Sequence, residues 1–291
     1  MDRDSINGRR DESLRDVRRL SSFAPLLPLA LVSVLIFGAG ACRRGGEPSL
    51  SRATEAWDSG DYEQAAEEYE EHLRHYPAGE KSLEARLQLA NIYYLNLRRY
   101  DQAIPHYKEF LNQDSSSQNA HVARERLAEL LSEIGRSYEA IAEFENLNPH
   151  GAKERRRIRL KIADLYYEQK NYSQALAEYA RVTDGAEYDE LSEQAYQREA
   201  SIHHLSRGQF QKALDTYRKL ASLSGDPEVR LRATLGIADC YAGLYQFDEA
   251  IKVLREVTDE GEQRYIARRI DELEQQKREA AHAKSEVEKK K

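Results

Sequence analysis

The sequence has little of what small secreted domains and many enzymes depend on. Of its 291 residues, only two are cysteine, one is methionine and one is tryptophan, and proline and glycine number 7 and 15. Two cysteines exclude a disulfide framework and a Cys-x-x-Cys metal or redox pair. The scarcity of glycine and proline, with 33% charged residues, favours long helices over a fold of sheets and turns.

Motifs for chemistry are missing as well. The chain has no Gly-x-Ser-x-Gly elbow, no His-Glu-x-x-His pair and no dinucleotide fingerprint, and Gly79–Ser82 lacks the residue order of a phosphate loop. His72 and His75 lie three residues apart, but no third metal ligand follows at a set spacing. Acidic and basic residues alternate to a net charge of −7, without a basic stripe for nucleic acid. We therefore expect no enzyme, no metal, no cofactor and no nucleic-acid partner.

One long apolar run is present, at Phe23–Ala41. An arginine-bearing leader precedes it, and it ends in small residues followed by Cys42. This order is typical of a bacterial lipoprotein export signal, which predicts cleavage after Ala41 and a lipid such as palmitate on Cys42. An uncleaved membrane helix is the alternative, because 19 residues can span a bilayer. On either interpretation the remainder lies outside the cytoplasm.

An alanine recurs six times after that run, with spacings of 38, 37, 35, 38 and 37 residues. Mostly aromatic residues lie three before and four after each of these anchor alanines, which are Ala65, Ala103, Ala140, Ala175, Ala213 and Ala250. Twelve residues before each anchor stands a small or compact residue, namely Ala53, Asn91, Ala128, Ala163, Ser201 and Ala238. Periods in this range indicate stacked helical repeats.

These segments resemble tetratricopeptide repeats, which share the small-x-x-Tyr and Ala-x-x-x-aromatic pattern. The resemblance implies an all-α fold, a right-handed superhelical solenoid of about six helix hairpins. Local signals agree, since Asp226-Pro227-Glu228 predicts a helix start. Further on, Ile266, Ile270 and Leu273 share one helical face and predict a C-terminal capping helix. From Glu274 onward we expect a charged, solvated helix that frays into disorder, with a docking element as the alternative.

The predicted organisation has four parts. Residues 1–41 form the signal peptide, 42–48 the lipidated linker, 49–258 the solenoid of six repeats, and 259–291 the capping helix and charged tail.

The first helices of such repeats line an inner groove that can hold an extended peptide or another protein. Counting eleven and eight residues before each anchor, and adding arginines near the same face, gives the groove candidates Trp57, Ile92, Leu95, Arg157, Asp164, Tyr167, Arg198, Ile202, Leu205, Arg232 and Asp239. Trp57 and Tyr167 would be natural anchors for a partner, and arginines suit carboxylates. The alternative is that some of these residues only contact the adjacent repeat.

The run Trp57–Leu111 also resembles the BamD (YfiO-type) lipoproteins of the outer-membrane β-barrel assembly machinery. The shared features are Tyr76-Pro77, Ala90, Tyr93-Tyr94 and the series Tyr100, Ala103, Ile104, Tyr107, Phe110 and Leu111. The resemblance implies a lipid-anchored scaffold on the periplasmic face of the outer membrane that holds barrel-assembly partners. The alternatives are a repeat lipoprotein serving envelope division or pilus and secretin assembly, and attachment to the periplasmic side of the inner membrane.

Overall fold

The computed structural model describes residues 46–206, 208–258 and 261–289. The predicted export signal and Cys42 lie outside the described residues, so lipidation and cleavage stay predictions. Within the described ranges, no helix combines the length and the apolar character that crossing a bilayer requires.

Six helix hairpins follow one another along the described chain, each made of a first and a second helix. Hairpins 1 to 3 comprise α1 (Gly46–Ser59) and α2 (Tyr62–His75), α3 (Glu80–Asn91) and α4 (Tyr100–Gln113), and α5 (Gln118–Glu133) and α6 (Ser137–Glu145). Hairpins 4 to 6 comprise α7 (Ala152–Glu168) and α8 (Tyr172–Thr183), α9 (Glu190–Ser201) and α10 (Phe210–Leu223), and α11 (Pro227–Gly243) and α12 (Phe247–Arg255). Each helix packs against the next one in the chain.

The anchor alanines explain why the hairpins stack. All six have no exposed surface, which lets neighbouring helices approach closely. The residue four positions later, a ring in hairpins 1 to 5 and Leu254 in hairpin 6, fills the space beside each anchor. Tyr107 and Tyr179 are such rings, and both are fully buried. The predicted all-α array of helix hairpins is confirmed.

Several helix starts follow the expected capping chemistry. The Asp226 carboxylate accepts the Glu228 backbone N–H at 2.8 Å, and Pro227 is the first residue of α11, as the sequence predicts. The Ser117 hydroxyl accepts the Ala120 N–H at 3.0 Å at the start of α5. These bonds satisfy backbone donors that a helix leaves unpaired at its first turn.

A thirteenth helix, α13 (Gln263–Lys289), follows the last hairpin. Ile266 and Leu273 are buried in one cluster with Phe247 and Leu254 of α12, so the predicted capping contact is confirmed. Beyond Glu274, α13 stays helical to Lys289, as expected of a solvated helix, and the fraying of its end stays a prediction. Ion pairs of its charged residues, such as Arg255 with Glu274 at 3.5 Å, accompany this continuation.

The first helices of hairpins 2 and 5 each end in a π-helical turn, Ile92–Asn96 and Ile202–Ser206. In the other four hairpins, a backbone bond spanning five residues closes the first helix, as from the Asp61 N–H to the Ala56 carbonyl. In hairpins 2 and 5 the equivalent bond spans six residues, from Arg99 to Tyr93 and from Gln209 to His203. Each of these two helices therefore holds one extra residue, which the π turn absorbs.

The extra residue changes which side chains face the core. Ala90 and Ala200 are fully buried, one position before Asn91 and Ser201. The prediction that Asn91 and Ser201 fill the small-residue position of their repeats is therefore wrong. One residue turns a helix by about 100°, which moves a side chain from one face to another.

Candidate functional site: the groove along the first helices

Two open depressions lie along the first helices, and we call the surface that contains them the groove. The first, of about 410 Å³, lies between α1 and α3 and is lined by Leu50, Thr54, Trp57, Tyr69, Lys81, Glu84, Ala85 and Gln88. The second, of about 500 Å³, spans hairpins 2 to 4 and is lined by Tyr94, Glu129, Ser132, Glu133, Phe144, Lys161, Asp164, Leu165 and Glu168.

A ladder of polar contacts joins consecutive first helices along the groove. The Arg126 guanidinium donates to the Asn91 side-chain oxygen at 2.6 Å, which links hairpins 2 and 3. Lys161 pairs with Glu129 between hairpins 3 and 4. Further pairs join Arg198 to Asp164 at 3.6 Å and Arg269 to Asp239 at 2.8 Å. Because each rung joins neighbouring helices, the ladder sets the spacing of the groove-lining side chains.

The ladder is interrupted between hairpins 5 and 6. In hairpin 5, Ser201 occupies the position that Asn91 has in hairpin 2. In hairpin 6, Gly236 occupies the position of the cationic residues Arg126 and Lys161. A Cβ atom at Gly236 would lie 2.7 Å from the Tyr217 ring, so the glycine allows that ring to pack directly on α11. Close packing replaces the ion pair at this junction.

In four hairpins, a pair of rings lies on the same side. The second ring lies three residues before the anchor, and the first lies eight residues before it, or nine in hairpins 2 and 5, which contain the π turn. Trp57 packs edge-on against Tyr62 with ring centroids 5.4 Å apart, and the pairs Tyr94–Tyr100, Tyr167–Tyr172 and His204–Phe210 repeat the arrangement. Hairpin 3 has Ser132 and Ser137 at these positions. The second depression lies beside this missing pair.

The structure brings three of the predicted residues together. The Arg198 guanidinium lies over the Tyr167 ring at 5.1 Å and pairs with Asp164, whose carboxylate also accepts the Tyr179 hydroxyl at 2.6 Å. Asp239 lies in another rung, with Arg269 of α13. Trp57 and Tyr167 are half-buried, so each keeps part of its ring open to solvent.

Two predicted groove residues are misplaced. Ile92 and Ile202 have no exposed surface, so neither can contact a partner. The prediction is wrong because it counts eleven residues back from the anchor and does not subtract the extra residue of the π turn. That residue rotates both isoleucines into the core. Leu95 and Leu205 lie within the π turns and are exposed, Leu205 by 75%.

The predicted arginines are already engaged. Arg157 pairs with Glu125 at 2.5 Å, and Arg232 pairs with Glu228 of its own helix at 2.5 Å. Arg198 has the partners described above. A carboxylate from a partner protein would therefore compete with carboxylates of the chain itself.

Sequence reasoning missed most residues that line the groove, among them Asn91, Tyr94, Glu125, Arg126, Glu129 and Lys161. A usable signal exists for the first two, because Ala90 precedes Asn91 just as Ala200 precedes Ser201, which points to one inserted residue in both repeats. The charged residues carry no such signal, since their spacing matches that of a solvated helix face.

Burial and hydrogen bonding fix the protonation states along the groove. Burial, and then the hydrogen bond to Glu133, raise the pKa of Tyr94, so its hydroxyl remains a donor at 2.9 Å from that carboxylate. Burial pushes the pKa of Glu125 upward, but the hydrogen bond and charge of Arg157 outweigh it and leave that pKa lowered. Both effects favour the protonation states that these two contacts beside the ladder require.

His72 and His75 do not behave as a pair. The His72 ring is buried and stacks on Tyr76 with centroids 5.3 Å apart, whereas His75 is exposed and its Nδ1 lies 3.0 Å from the Glu71 carbonyl. The charged sequence around these two histidines predicts solvated side chains, which is wrong for His72. Among the described residues, no group of three or more His, Cys, Asp or Glu side chains could hold a metal ion.

Family models agree with this architecture. One model described as a tetratricopeptide repeat matches residues 50–120 and 160–227, and a second with the same description matches residues 204–268. Together they cover more than half of the chain, which therefore belongs to the tetratricopeptide repeat family. Between the two matches of the first model, residues 121–159 contain most of hairpin 3, whose ring pair is missing. Folds of this family typically act as scaffolds that bind other proteins or peptides.

Solved structures show similar repeats at low sequence identity. A tetratricopeptide repeat protein from Parabacteroides merdae is 18% identical, with 73% of this chain and 78% of that chain covered and a TM-score of 0.49. PilF of Pseudomonas aeruginosa is 17% identical, with 72% and 89% covered and a TM-score of 0.41. PilW, a type IV pilus biogenesis factor, is 19% identical, with 73% and 92% covered and a TM-score of 0.41. A search of curated proteins finds no match.

Proposed function

We propose that this chain is a lipid-anchored periplasmic scaffold of the outer membrane that serves β-barrel assembly, in the manner of the BamD lipoproteins. The groove of hairpins 1 to 4 is the observation that supports this proposal. Its part in hairpins 1 and 2 is formed by the run Trp57–Leu111, which resembles the BamD lipoproteins. One continuous core cluster, from Ala53 to Leu165, packs beneath these hairpins and holds the groove-lining helices together. The export signal with Cys42 supplies the anchor.

The role as a scaffold is tested by crosslinking in intact cells, followed by purification of the chain from membranes. We expect a large β-barrel protein to co-purify. Recovery of division, pilus or secretin components in its place would favour the alternative repeat-lipoprotein roles. Recovery of the chain with no protein partner would contradict a scaffold.

The anchor is tested separately with Cys42→Ala. Metabolic labelling with a radioactive fatty acid should mark the wild-type chain and not the variant, which should also leave the membrane fraction. Cys240→Ala is the control, because that buried thiol lies in α11 and should leave the label unchanged. Retention of the Cys42→Ala variant in membranes, without label on the wild type, would indicate an uncleaved membrane helix.

A further inference from the structure

The two depressions of the groove differ in chemistry. Trp57 and Leu50 line the first, and both are half-buried, so each offers part of an apolar side chain to a partner. Ala85 of α3 lies opposite them and adds no bulk. A surface with one accessible indole beside aliphatic groups favours a large apolar side chain.

The second depression is polar and carries more negative than positive charge. Its lining includes four carboxylates, those of Glu129, Glu133, Asp164 and Glu168, and a single ammonium group, that of Lys161. The Lys161 ammonium also lies 5.4 Å from the centroid of the Phe144 ring. This depression therefore already contains one cation–π contact, between Lys161 and Phe144.

The groove ladder uses only part of this negative charge. Glu129 is paired with Lys161, and Asp164 with Tyr179 and Arg198. Glu133 accepts the Tyr94 hydroxyl, but within the described ranges its only cationic partner is the exposed Arg98, at 3.6 Å. The Glu168 carboxylate has no hydrogen bond or ion pair with any described part of the chain. Two exposed carboxylates therefore remain at the rim, where they attract cations and repel acidic groups.

We propose that the groove binds an extended segment of a partner protein that carries a bulky apolar residue and, farther along, an arginine or lysine. The apolar side chain enters the depression beside Trp57, and the cationic one enters the depression between Glu133 and Glu168. The first helix of hairpin 2 borders both depressions, through Gln88 of α3 and Tyr94 of its π turn, so one segment crosses a single hairpin to reach both. The inference rests on the proposed scaffold role and specifies the chemistry of its partner.

The experiment is a selection of randomised peptides of about ten residues against the purified chain 43–291, whose folded helix content is checked by circular dichroism. Selected peptides should be enriched in arginine or lysine together with one bulky apolar residue. The double substitution Glu133→Gln/Glu168→Gln should weaken a selected peptide about tenfold or more, and high salt should do the same. Trp57→Ala should weaken it by a similar factor without changing the salt dependence.

The matched control is Glu67→Gln/Glu145→Gln, which removes two exposed carboxylates from the second helices of hairpins 1 and 3. It changes the net charge by the same amount and should leave peptide affinity unchanged. Binders that show no enrichment in cations, or that lose affinity equally in both double variants, would overturn the inference while leaving the scaffold role intact. A selection without groove binders would overturn the inference together with the groove's role as a scaffold.

Discussion

At the residue scale, the turn between the two helices of every hairpin requires a left-handed backbone. The residue five positions before each anchor has a φ between 55° and 81° in all six hairpins. Glycine occupies this position in hairpins 1, 3 and 5, where it adopts the conformation without a steric penalty. Arg98, Lys170 and Tyr245 occupy it in the other three, so each contributes local strain.

Lys170 provides a clean test of that strain, because it is exposed at the turn of hairpin 4. Lys170→Gly should raise the free energy of unfolding by about 0.5–1 kcal/mol, since relief of the left-handed penalty exceeds the extra entropy of glycine in the unfolded chain. Urea unfolding followed by circular dichroism measures the change. Lys170→Ala is the control, which keeps the strain and should give no gain. An equal gain from both variants would show that the lysine side chain, and not the backbone, is responsible.

At Gly236 in α11 we predict the opposite effect, because replacing this glycine should destabilise the chain. Alanine usually stabilises a helix relative to glycine by about 1 kcal/mol. At Gly236 the added Cβ would lie 2.7 Å from the Tyr217 ring, and overpacking of this kind costs about 1–3 kcal/mol. Gly236→Ala should therefore lower the free energy of unfolding, and Tyr217→Leu in the same chain should recover part of the loss. A more stable single variant would contradict the close contact between α10 and α11.

At the element scale, the π turns of hairpins 2 and 5 show how one inserted residue is tolerated. The helix before each turn keeps its buried small residue, Ala90 or Ala200, and the second helix keeps its anchor. The residues before the turn are shifted by one position relative to the anchor, and Leu95 and Leu205 within the turns are exposed. The insertion thus alters the groove surface without altering the stacking of the hairpins.

Deletion of Leu205 tests this directly, because it should convert the π turn of hairpin 5 into a regular helix end. We expect the variant to keep its helix content and lose less than about 1 kcal/mol of stability, since Leu205 is exposed. Deletion of Leu235 in the middle of α11 is the control. It rotates half of that helix by about 100° and should unfold hairpin 6. Similar losses for the two deletions, measured by circular dichroism and urea unfolding, would exclude the inserted-residue explanation.

The junction of α7, α8 and α9 has an acid-sensitive contact. The Arg156 guanidinium donates to both carboxylate oxygens of Asp189, at 2.8 and 2.7 Å, and also to the Val182 carbonyl and the Ser192 hydroxyl. Its hydrogen bond is the main reason that the pKa of Asp189 falls to about 2, from an ordinary value of 3.8. The carboxylate therefore stays ionised to lower pH in the folded chain than in the unfolded chain.

Because the folded pKa of Asp189 is depressed, its contribution to stability is fully present above about pH 4 and is lost as the pH falls towards 2. Thermal unfolding of the wild type and of Asp189→Asn, measured from pH 6 down to about pH 2, should give two melting temperatures that converge as the pH falls. Parallel curves would show that Asp189 does not titrate with a shifted pKa.

At the scale of the whole molecule, the sequence predicted the order of hairpins because packing alanines and rings recur at nearly constant spacing. Ala65 and Ala250, the first and last anchors, are both fully buried as expected. The groove was predicted less well, because a groove position depends on helix rotation, which one inserted residue changes. Ile92 and Ile202 show this failure, and the pairing of Arg157 with Glu125 shows another, since contacts between repeats are not visible in spacing alone.

The described chain has one large core cluster under hairpins 1 to 4 and smaller clusters towards α13. In a repeat array each hairpin contacts mainly its neighbours, so stability is distributed along the array and the groove is held by successive local junctions. The second depression lies over hairpin 3, where family models do not match and the ring pair is absent.

The most direct test of a groove that binds partner proteins is photo-crosslinking in living cells from a benzoylphenylalanine placed at single tyrosines. Tyr167 lies in the groove, and Tyr138 is 73% exposed in the first turn of α6. We expect a discrete crosslinked protein from position 167 and none from position 138. A crosslinked partner from position 138 alone, or from neither position, would contradict this expectation.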